Sequence, residues 1–483
     1  MKRTVNIIAA ILIMLVLAAA PFESNHQMVI ADATTKPLAT NFTLVNLGEG
    51  TATGTAQYLT PDGMEWGDSI FKDFTIPPGG SFQARQYFDT GLTPGRGSVI
   101  ISSDQLLSAM VQVVTRTGVP TSGAYTGVSA ASATWYIPLA ARRANTATGM
   151  ANSQIIIQNV TASSLDFKIE YYSLSTGSLD LTRDYTGLAA GASQLIDLDL
   201  ETDLPAGWWG SVVVSSNTAG SMGVVSNLFF GTDSLNAFNA FAAETVTSSW
   251  YIPLLYIRLP NTLTSSVNVQ NLSSDALDAG DIKVTCTKNP AASGNDFEVT
   301  NPTQILPKSS YSFNTYMDTE RFPTPNWYGS CKVESLSGAN IAVLVQDRYT
   351  KNAEQSMYGA VPGNQTSKKV SVPLVAKRLA NGFANTVNIQ NLSDDTEAIL
   401  KITYVPSPTE GTGAIFVRTD IVVPPGGSYL RNFRLPETEL PDMPDGWVGS
   451  MVIESTTPIA AFVQNTYLTA YGDRLMAYLG FNH

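Results

Sequence analysis

Histidine is almost missing from this chain. Only His26 and His483 occur in 483 residues, one near the start and one at the end. Without an interior imidazole, Ser-His-Asp and Cys-His catalysis lack their general base, and His-based zinc sites lack their ligands. Cysteine is as scarce, with Cys286 and Cys331 alone, and no close C-x-x-C arrangement exists for redox chemistry. Charged residues make up 14% of the chain and the net charge is −12. No basic stripe is present to release counterions from phosphates, which argues against nucleic acid as a partner. Phosphate-cradling and nucleophile-elbow signatures are absent from any matching strand–helix context, and no amphipathic helical period follows the first twenty residues.

What is present points to β-structure. Apolar residues at 44% are enough to fill several cores, while Thr, Ser, Asn and Gly crowd the rest. The length exceeds one ordinary domain. Residues 1–33 read as a signal peptide and leader: Lys2 and Arg3 form a charged start, and an apolar run, Val5 to Ala20, follows. That run is short for a membrane span, so membrane contact is expected only through this segment. Ala31-Asp32-Ala33 offers a small-x-small cleavage site. The destination is extracellular or the cell surface.

Four landmarks recur in the same order, four times over. A strand ends in Asn at Asn46, Asn159, Asn271 and Asn391. A turn follows at 77–82 ("PPGGSF"), 189–194, 306–311 and 424–429 ("PPGGSY"). A Gly-Ser strand start comes next, at Gly97, Gly210, Gly329 and Gly449, and an apolar strand closes the unit. Within "VNIQN", Val387 and Ile389 face one way and Asn388 and Gln390 the other, a period of two that makes a half-buried strand. Short strands separated by Gly/Pro/Ser/Asn turns predict an all-β chain of four tandem immunoglobulin-like antiparallel β-sandwiches. Their spans are 34–130, 131–246, 247–366 and 367–483.

A nine-residue phrase opens each later unit: "WYIPLAARR" (135–143), "WYIPLLYIR" (250–258) and "VSVPLVAKR" (370–378). Pro138, Pro253 and Pro373 suit a stiff first strand. In the first unit the phrase shrinks to "KPLA" (36–39). Five residues past each proline stands Arg143, Arg258 or Arg378. These are either solvated loop cations or clamps on a carboxylate of an adjoining domain. The acid-Thr pairs at Asp89, Glu201, Asp318 and Glu437 are the clamp's candidates.

Alignment of the copies sets Cys286 against Tyr58, Tyr171 and Tyr404, and Cys331 against Val99, Val212 and Met451. Both face inward, and in an exported protein they read as a buried cross-core disulfide. Closing that loop stabilises by ~4 kcal/mol in the chain-entropy account. Trp208, Trp327 and Trp447 each precede the Gly-Ser glycine by two residues, and copy one has Gly95 there. Packing on the core edge is the plain reading, a sugar-binding aromatic platform the sharper one. In "LIDLDLETDLP" alternation sets Asp197, Asp199, Glu201 and Asp203 on one strand face. That face is either simply solvated or a calcium site; catalysis by paired carboxylates is the remote alternative. No other cofactor is implied. The N-x-[ST] triplets at Asn41, Asn159, Asn271, Asn364 and Asn391 are glycan acceptors only in a eukaryotic route, and turn capping explains three of them.

Taken together, the [IV]-x-[IV]-Q-N strand, the P-P-G-G-S turn and the W-x-G-S start make residues 36–483 resemble repeat proteins of bacterial surfaces, the adhesin, surface-layer and matrix types. The resemblance implies a non-enzymatic scaffold of sandwiches strung into a rod of ~150 Å, judged from domain compactness. It also implies partners among copies of itself or cell-surface components. A carbohydrate-binding module using calcium and glycans is the alternative. The segment Ser24 to Thr40 is a candidate for strand addition to a neighbouring molecule.

Overall fold

The computed structural model describes residues 10–16, 38–115, 121–407, 414–435, 442–467 and 473–483. Among them the chain is built of strands, with two single-turn 3-10 helices at Gln86–Phe88 and Leu198–Leu200. The fold is a set of tandem antiparallel β-sandwiches. In the second repeat one sheet runs, in hydrogen-bonded order, Leu179–Leu188, Leu165–Ser173, Trp208–Ser215, Thr134–Arg142 and Phe241–Ala242. The facing sheet runs Ser193–Asp197, Gly149–Asn159, Met222–Phe230 and Ser234–Asn239. The third repeat copies this order. In the fourth, one long strand, Val448–Tyr467, runs through both sheets and joins them.

Period-two sequence accounts for the inner faces. Along Leu165–Ser173 the buried residues are Leu165, Phe167, Ile169, Tyr171 and Ser173, with Asp166, Lys168 and Glu170 facing out. The strands ending in Asn behave differently. Leu263–Asn271 and Phe383–Asn391 are buried at every position, on both faces. Their Asn and Gln residues do not face water, as alternation predicted; they face another repeat.

The repeats close into a ring and do not form a rod. The last strand of each unit lies on a common axis: Ser122–Thr126, Ser234–Asn239, Gln355–Gly359 and Met476–Leu479. The first of these axial strands packs on the second, the second on the third, the third on the fourth, and the fourth returns to the first. Apolar cores merge across the junctions. One cluster extends from Phe42 in the first repeat to Tyr358 in the third, and Met110 and Ala124 of the first repeat belong to the core of the fourth. A linear rod buries only end-to-end contacts. Here each unit covers the polar face of its neighbour, which removes far more surface from water.

Two further readings are corrected. Leu38 and Ala39, assigned to a shortened opening phrase, instead begin the strand Leu38–Asn46. The seat that opening strands fill in later repeats is held in the first by leader residues Ala10–Val16, paired with Gly97–Ser103. Cys286 and Cys331 are disulfide-bonded, but as directly opposite residues of adjacent strands in one sheet, with Cα atoms 4.1 Å apart. The bond therefore does not cross the core. Equivalent cross-strand pairs are Tyr58–Val99, Tyr171–Val212 and Tyr404–Met451.

Candidate functional site

The repeated motifs converge on the junctions between repeats. Three of the four Gly-Ser starts aim the serine at the turn of another repeat. Ser211 Oγ donates to the Lys308 carbonyl at 2.7 Å, Ser330 Oγ to Gly426 at 2.7 Å, and Ser450 Oγ to Gly79 at 2.5 Å, the last bond closing repeat four onto repeat one. The acceptors Gly79, Lys308 and Gly426 sit at φ of 68°, 64° and 63°. Left-handed backbone turns their carbonyls outward, which explains glycine in P-P-G-G-S. At the first junction Gln158 Nε2 donates to Ser98 Oγ at 2.7 Å. The [IV]-N-[IV]-Q-N strand supplies the rest: Asn388 Nδ2 reaches the Pro253 carbonyl, and Gln390 Nε2 reaches Cys331 O at 3.3 Å. Amides, unlike carboxylates, can be buried at modest cost when bonded, which is why this face carries no charge.

The terminal asparagine of that strand has its own task. Asn271 is fully buried; its Nδ2 donates to Asp275 O at 2.8 Å and Ile305 O at 3.0 Å, while Oδ1 accepts from Ser273 N at 2.9 Å. Asn46, Asn159 and Asn391 repeat the pattern. These amide nitrogens are committed to backbone carbonyls and are not presented to a glycosylating enzyme.

Each W-x-G places an indole over a glycine. A Cβ on Gly210 would lie 2.2 Å from the Trp208 ring and 2.1 Å from Tyr172 O. Trp208, Trp327 and Trp447 are all buried in their own repeats, so they are packing residues and form no exposed platform. Trp208 Nε1 donates to Asp180 at 2.9 Å and Trp327 Nε1 to Asn295 O at 3.0 Å. In the first repeat Trp66, from a different loop, covers Gly97 instead. Its single occurrence, outside the repeated pattern, hid it.

The three arginines do not bridge domains. Arg143, Arg258 and Arg378 share φ values of 44°, 41° and 45°, so each is a left-handed residue one or two positions past the opening strand. Arg143 binds Asp199 in its own repeat through Nε at 2.5 Å and Nη2 at 3.2 Å. Arg258 donates to the carbonyls of Thr315 and Phe322, and Arg378 lies 3.6 Å from Asp445. Of the acid-Thr candidates, Asp89 accepts from Ile70 N and Gly91 N, Asp318 pairs with Arg321, and Glu437 lies outside the described residues.

The acidic run is not a strand face. Its strand ends at Asp197, whose carboxylate accepts Asp199 N at 3.0 Å and starts the turn Leu198–Leu200. Local Asp-to-backbone bonding overrode the alternation. Asp197 is held by Asn152 and Gln154, Asp199 by Arg143, and Glu201 and Asp203 by Arg183. Each carboxylate is hydrogen-bonded by guanidinium or amide donors and does not converge with the others on a shared point. Among the described residues, no three His, Cys, Asp or Glu gather to hold a metal.

On the axis lies a cavity of about 220 Å³, walled by Tyr125, Phe238, Tyr358 and Tyr478 with Trp135 and Trp250. Thr126 and Asn239 bond each other at its wall, Thr126 Oγ1 donating to Asn239 Oδ1 at 2.7 Å. The tyrosine hydroxyls point away into their own repeats: Tyr358 Oη donates to Leu254 O and Tyr478 Oη to Leu374 O. Burial keeps both phenols neutral by pushing them well above their ordinary range. Among the described residues, no His, Cys, Asp, Glu, Lys or Arg lines this wall.

Sequence reasoning missed three ionisable groups. Asp473 is fully buried on the axis. Asp347 is buried on the strand Ile341–Tyr349, held up at about 7 by burial, with one bond from Ser265 at 2.6 Å. His483, dismissed as terminal, folds back so that Nε2 lies 2.7 Å from Ser371 Oγ. Burial, helped by Lys369, lowers the imidazole to about 4, so it is neutral at physiological pH. Ser371 is fully buried and His483 is exposed, so the pair ties residue 483 to the opening strand of the fourth repeat.

No family model matches the chain, and no curated protein does. Among solved structures it is similar to a mutant major pilin of Streptococcus pyogenes, at 7% identity and TM-score 0.12, over 72% of this chain and 98% of that one. The full-length RrgB pilus protein of Streptococcus pneumoniae gives 10% identity and TM-score 0.11, over 94% and 88%. At such scores neither likeness bears on fold or function.

Proposed function

We propose that the chain is a non-enzymatic structural protein, exported through its N-terminal leader to the cell surface or beyond. The observation that supports this is the use made of its polar repeats: buried Asn, Gln and Ser side chains join one repeat to the next and seal a ring. Carboxylates in the acidic run are held by arginines and amides, and the axial wall is aromatic. The design favours a rigid unit over a reactive one.

Self-association is the reading that fits the outside. In the fourth repeat the edge strand Phe416–Val423 carries Val417 and Val422 outward, and Val422 pairs with exposed Ile399 on the neighbouring strand. Corresponding outer faces of the second and third repeats carry Asp166, Lys168, Lys283 and Glu298. Asp420 on this strand and Lys401 beside it are exposed too, but apolar residues on an edge invite pairing with another chain, whereas charges oppose it. Sizing and negative-stain imaging over a concentration series test this. Larger particles are expected from wild type and not from V422K; particles absent from both would leave the chain a solitary unit and sink the assembly reading.

A further inference from the structure

In each repeat the sheet that carries the axial strand ends, on its far side, in a short strand: Ser81–Arg85, Ser193–Asp197, Ser310–Asn314 and Ser428–Asn432. The third residue past each strand is apolar and exposed. These residues are Phe88, Leu200, Met317 and Leu435, at 58%, 64%, 75% and 58% exposure. Among the described residues no other large apolar position is exposed in every repeat. A single exposed apolar residue is ordinary on a protein surface, but one retained at the same place in four copies calls for a cause.

Register places all four on one side of the ring. Arg85 pairs with Asn41, Asn41 with Gln112, and Gln112 with Ala124 of the first axial strand. The same steps lead from Asp197 to Ala237, from Asn314 to Met357 and from Asn432 to Ala477. These end points are equivalent positions on axial strands that pack in a closed cycle. Every tip therefore lies past the end at which those strands start. The turns that carry the tips are tied down: Asn314 Oδ1 accepts Met317 N at 3.1 Å, Asp197 Oδ1 accepts Asp199 N at 3.0 Å, and Asn432 Oδ1 accepts Arg434 N at 3.1 Å.

We infer that the four tips form a crown that seats this side of the ring on a lipid surface, each side chain entering the headgroup boundary. Two observations select lipid over a protein partner. Phe, Leu, Met and Leu agree in apolarity and differ in shape, so the partner reads apolarity alone, as a fluid hydrocarbon boundary does. The tips also stand one to a repeat, with exposed Thr90, Thr202 and Thr319 just beyond, and do not form the continuous patch of about 800 Å² that a stable protein contact needs. Of the described acids on these turns, all but exposed Glu320 are occupied. Asp89 is buried, Asp199 is paired with Arg143, Glu201 and Asp203 with Arg183, and Asp318 with Arg321. Charge cancelled in pairs gives anionic lipid no hold, so the surface is a zwitterionic one. Exposed Tyr87 and Tyr316 stand next to Phe88 and Met317, where an amphipathic ring suits the boundary.

Both cysteines are in the disulfide, so an introduced thiol takes a label alone. L200C, M317C and L435C, each carrying a polarity-sensitive fluorophore on the full chain, are mixed with phosphatidylcholine vesicles. Emission is expected to move to shorter wavelength at all three sites. It should stay unchanged in L336C, whose leucine is exposed outside the crown. Adding F88D and L200D to labelled M317C should raise the vesicle concentration for half the change about tenfold or more for each tip. A leader inserted by itself would bring the chain to vesicles without moving these labels, and that result overturns the inference. So does an equal change in L336C, or indifference to F88D with L200D. A change driven by protein concentration without vesicles overturns it as well, by assigning the crown to a second copy. The inference rests on the closed ring and not on the edge strand Phe416–Val423, so its failure leaves the assembly reading standing.

Discussion

Asp473 Oδ2 accepts the backbone N–H of Leu235 at 2.9 Å, a bond from the fourth repeat to the second across the axis. Its Oδ1 accepts Gln355 N of the third repeat at 2.9 Å, and its carbonyl accepts Ser122 Oγ of the first at 3.2 Å. One residue therefore touches all the other repeats. Arg474 beside it pairs with Glu354 of the third.

Removing this hub should loosen the ring. D473A leaves two buried amides without acceptors, at about 1–3 kcal/mol each. Urea unfolding is expected to show a loss of about 2–6 kcal/mol, and small-angle scattering a larger radius of gyration. Unchanged stability and size would mean the junctions do not depend on the axis.

Asp347 sets a pH dependence whose sign is fixed by its environment. Burial raises the folded carboxyl to about 7, above its unfolded value, so the folded state holds the proton more tightly. Stability from this group is full in acid and falls as pH climbs from about 4 to about 7. The fourth repeat carries Asn465 at the equivalent place, bonded to Asn385. D347N should therefore gain about 1–3 kcal/mol at pH 8 and little at pH 4. Equal gains at both pH values would refute the assignment.

The disulfide joins strands already paired, so its loss should weaken the third repeat without unfolding the ring. Reduction is expected to cost about 2–4 kcal/mol in a denaturant titration. The double variant C286Y with C331V installs the pair found as Tyr171–Val212 and should recover part of that loss. A variant no better than the reduced protein would show that the sister pair does not fit this sheet.

Gly210 should tolerate no side chain. In G210A the new methyl meets both an indole and a carbonyl at about 2 Å, and overpacking of that kind costs about 1–3 kcal/mol or more. A surface change such as G50A, at an exposed glycine without a left-handed φ whose Cβ meets only the Gln105 side chain at 3.4 Å or more, gives the baseline. If the two variants melt together, Trp208 is free to move aside.

The sandwiches were legible because period two, turn residues and fourfold recurrence all describe local geometry. Cys286 and Cys331 were paired for the same reason, through alignment with Tyr58 and Val99, though alignment says nothing of which sheet a strand joins. Closure was not legible, because it depends on long-range partners such as Ser450 and Gly79. A signal did exist in the polar face of V-N-I-Q-N, which bears amides and no charge. Solvated faces normally carry Lys or Glu, so amides alone mark a face that meets protein. The run from Asp197 to Asp203 misled because alternate acids suit a strand and a capped turn equally well.

The axial strand Met476–Leu479 follows the other three axial strands in chain order. A polypeptide made N-terminus first thus cannot seal its inner walls until this fourth strand is complete. Until then three finished sandwiches stand with aromatic flanks bare, so premature termination should yield sticky fragments in place of shorter working proteins.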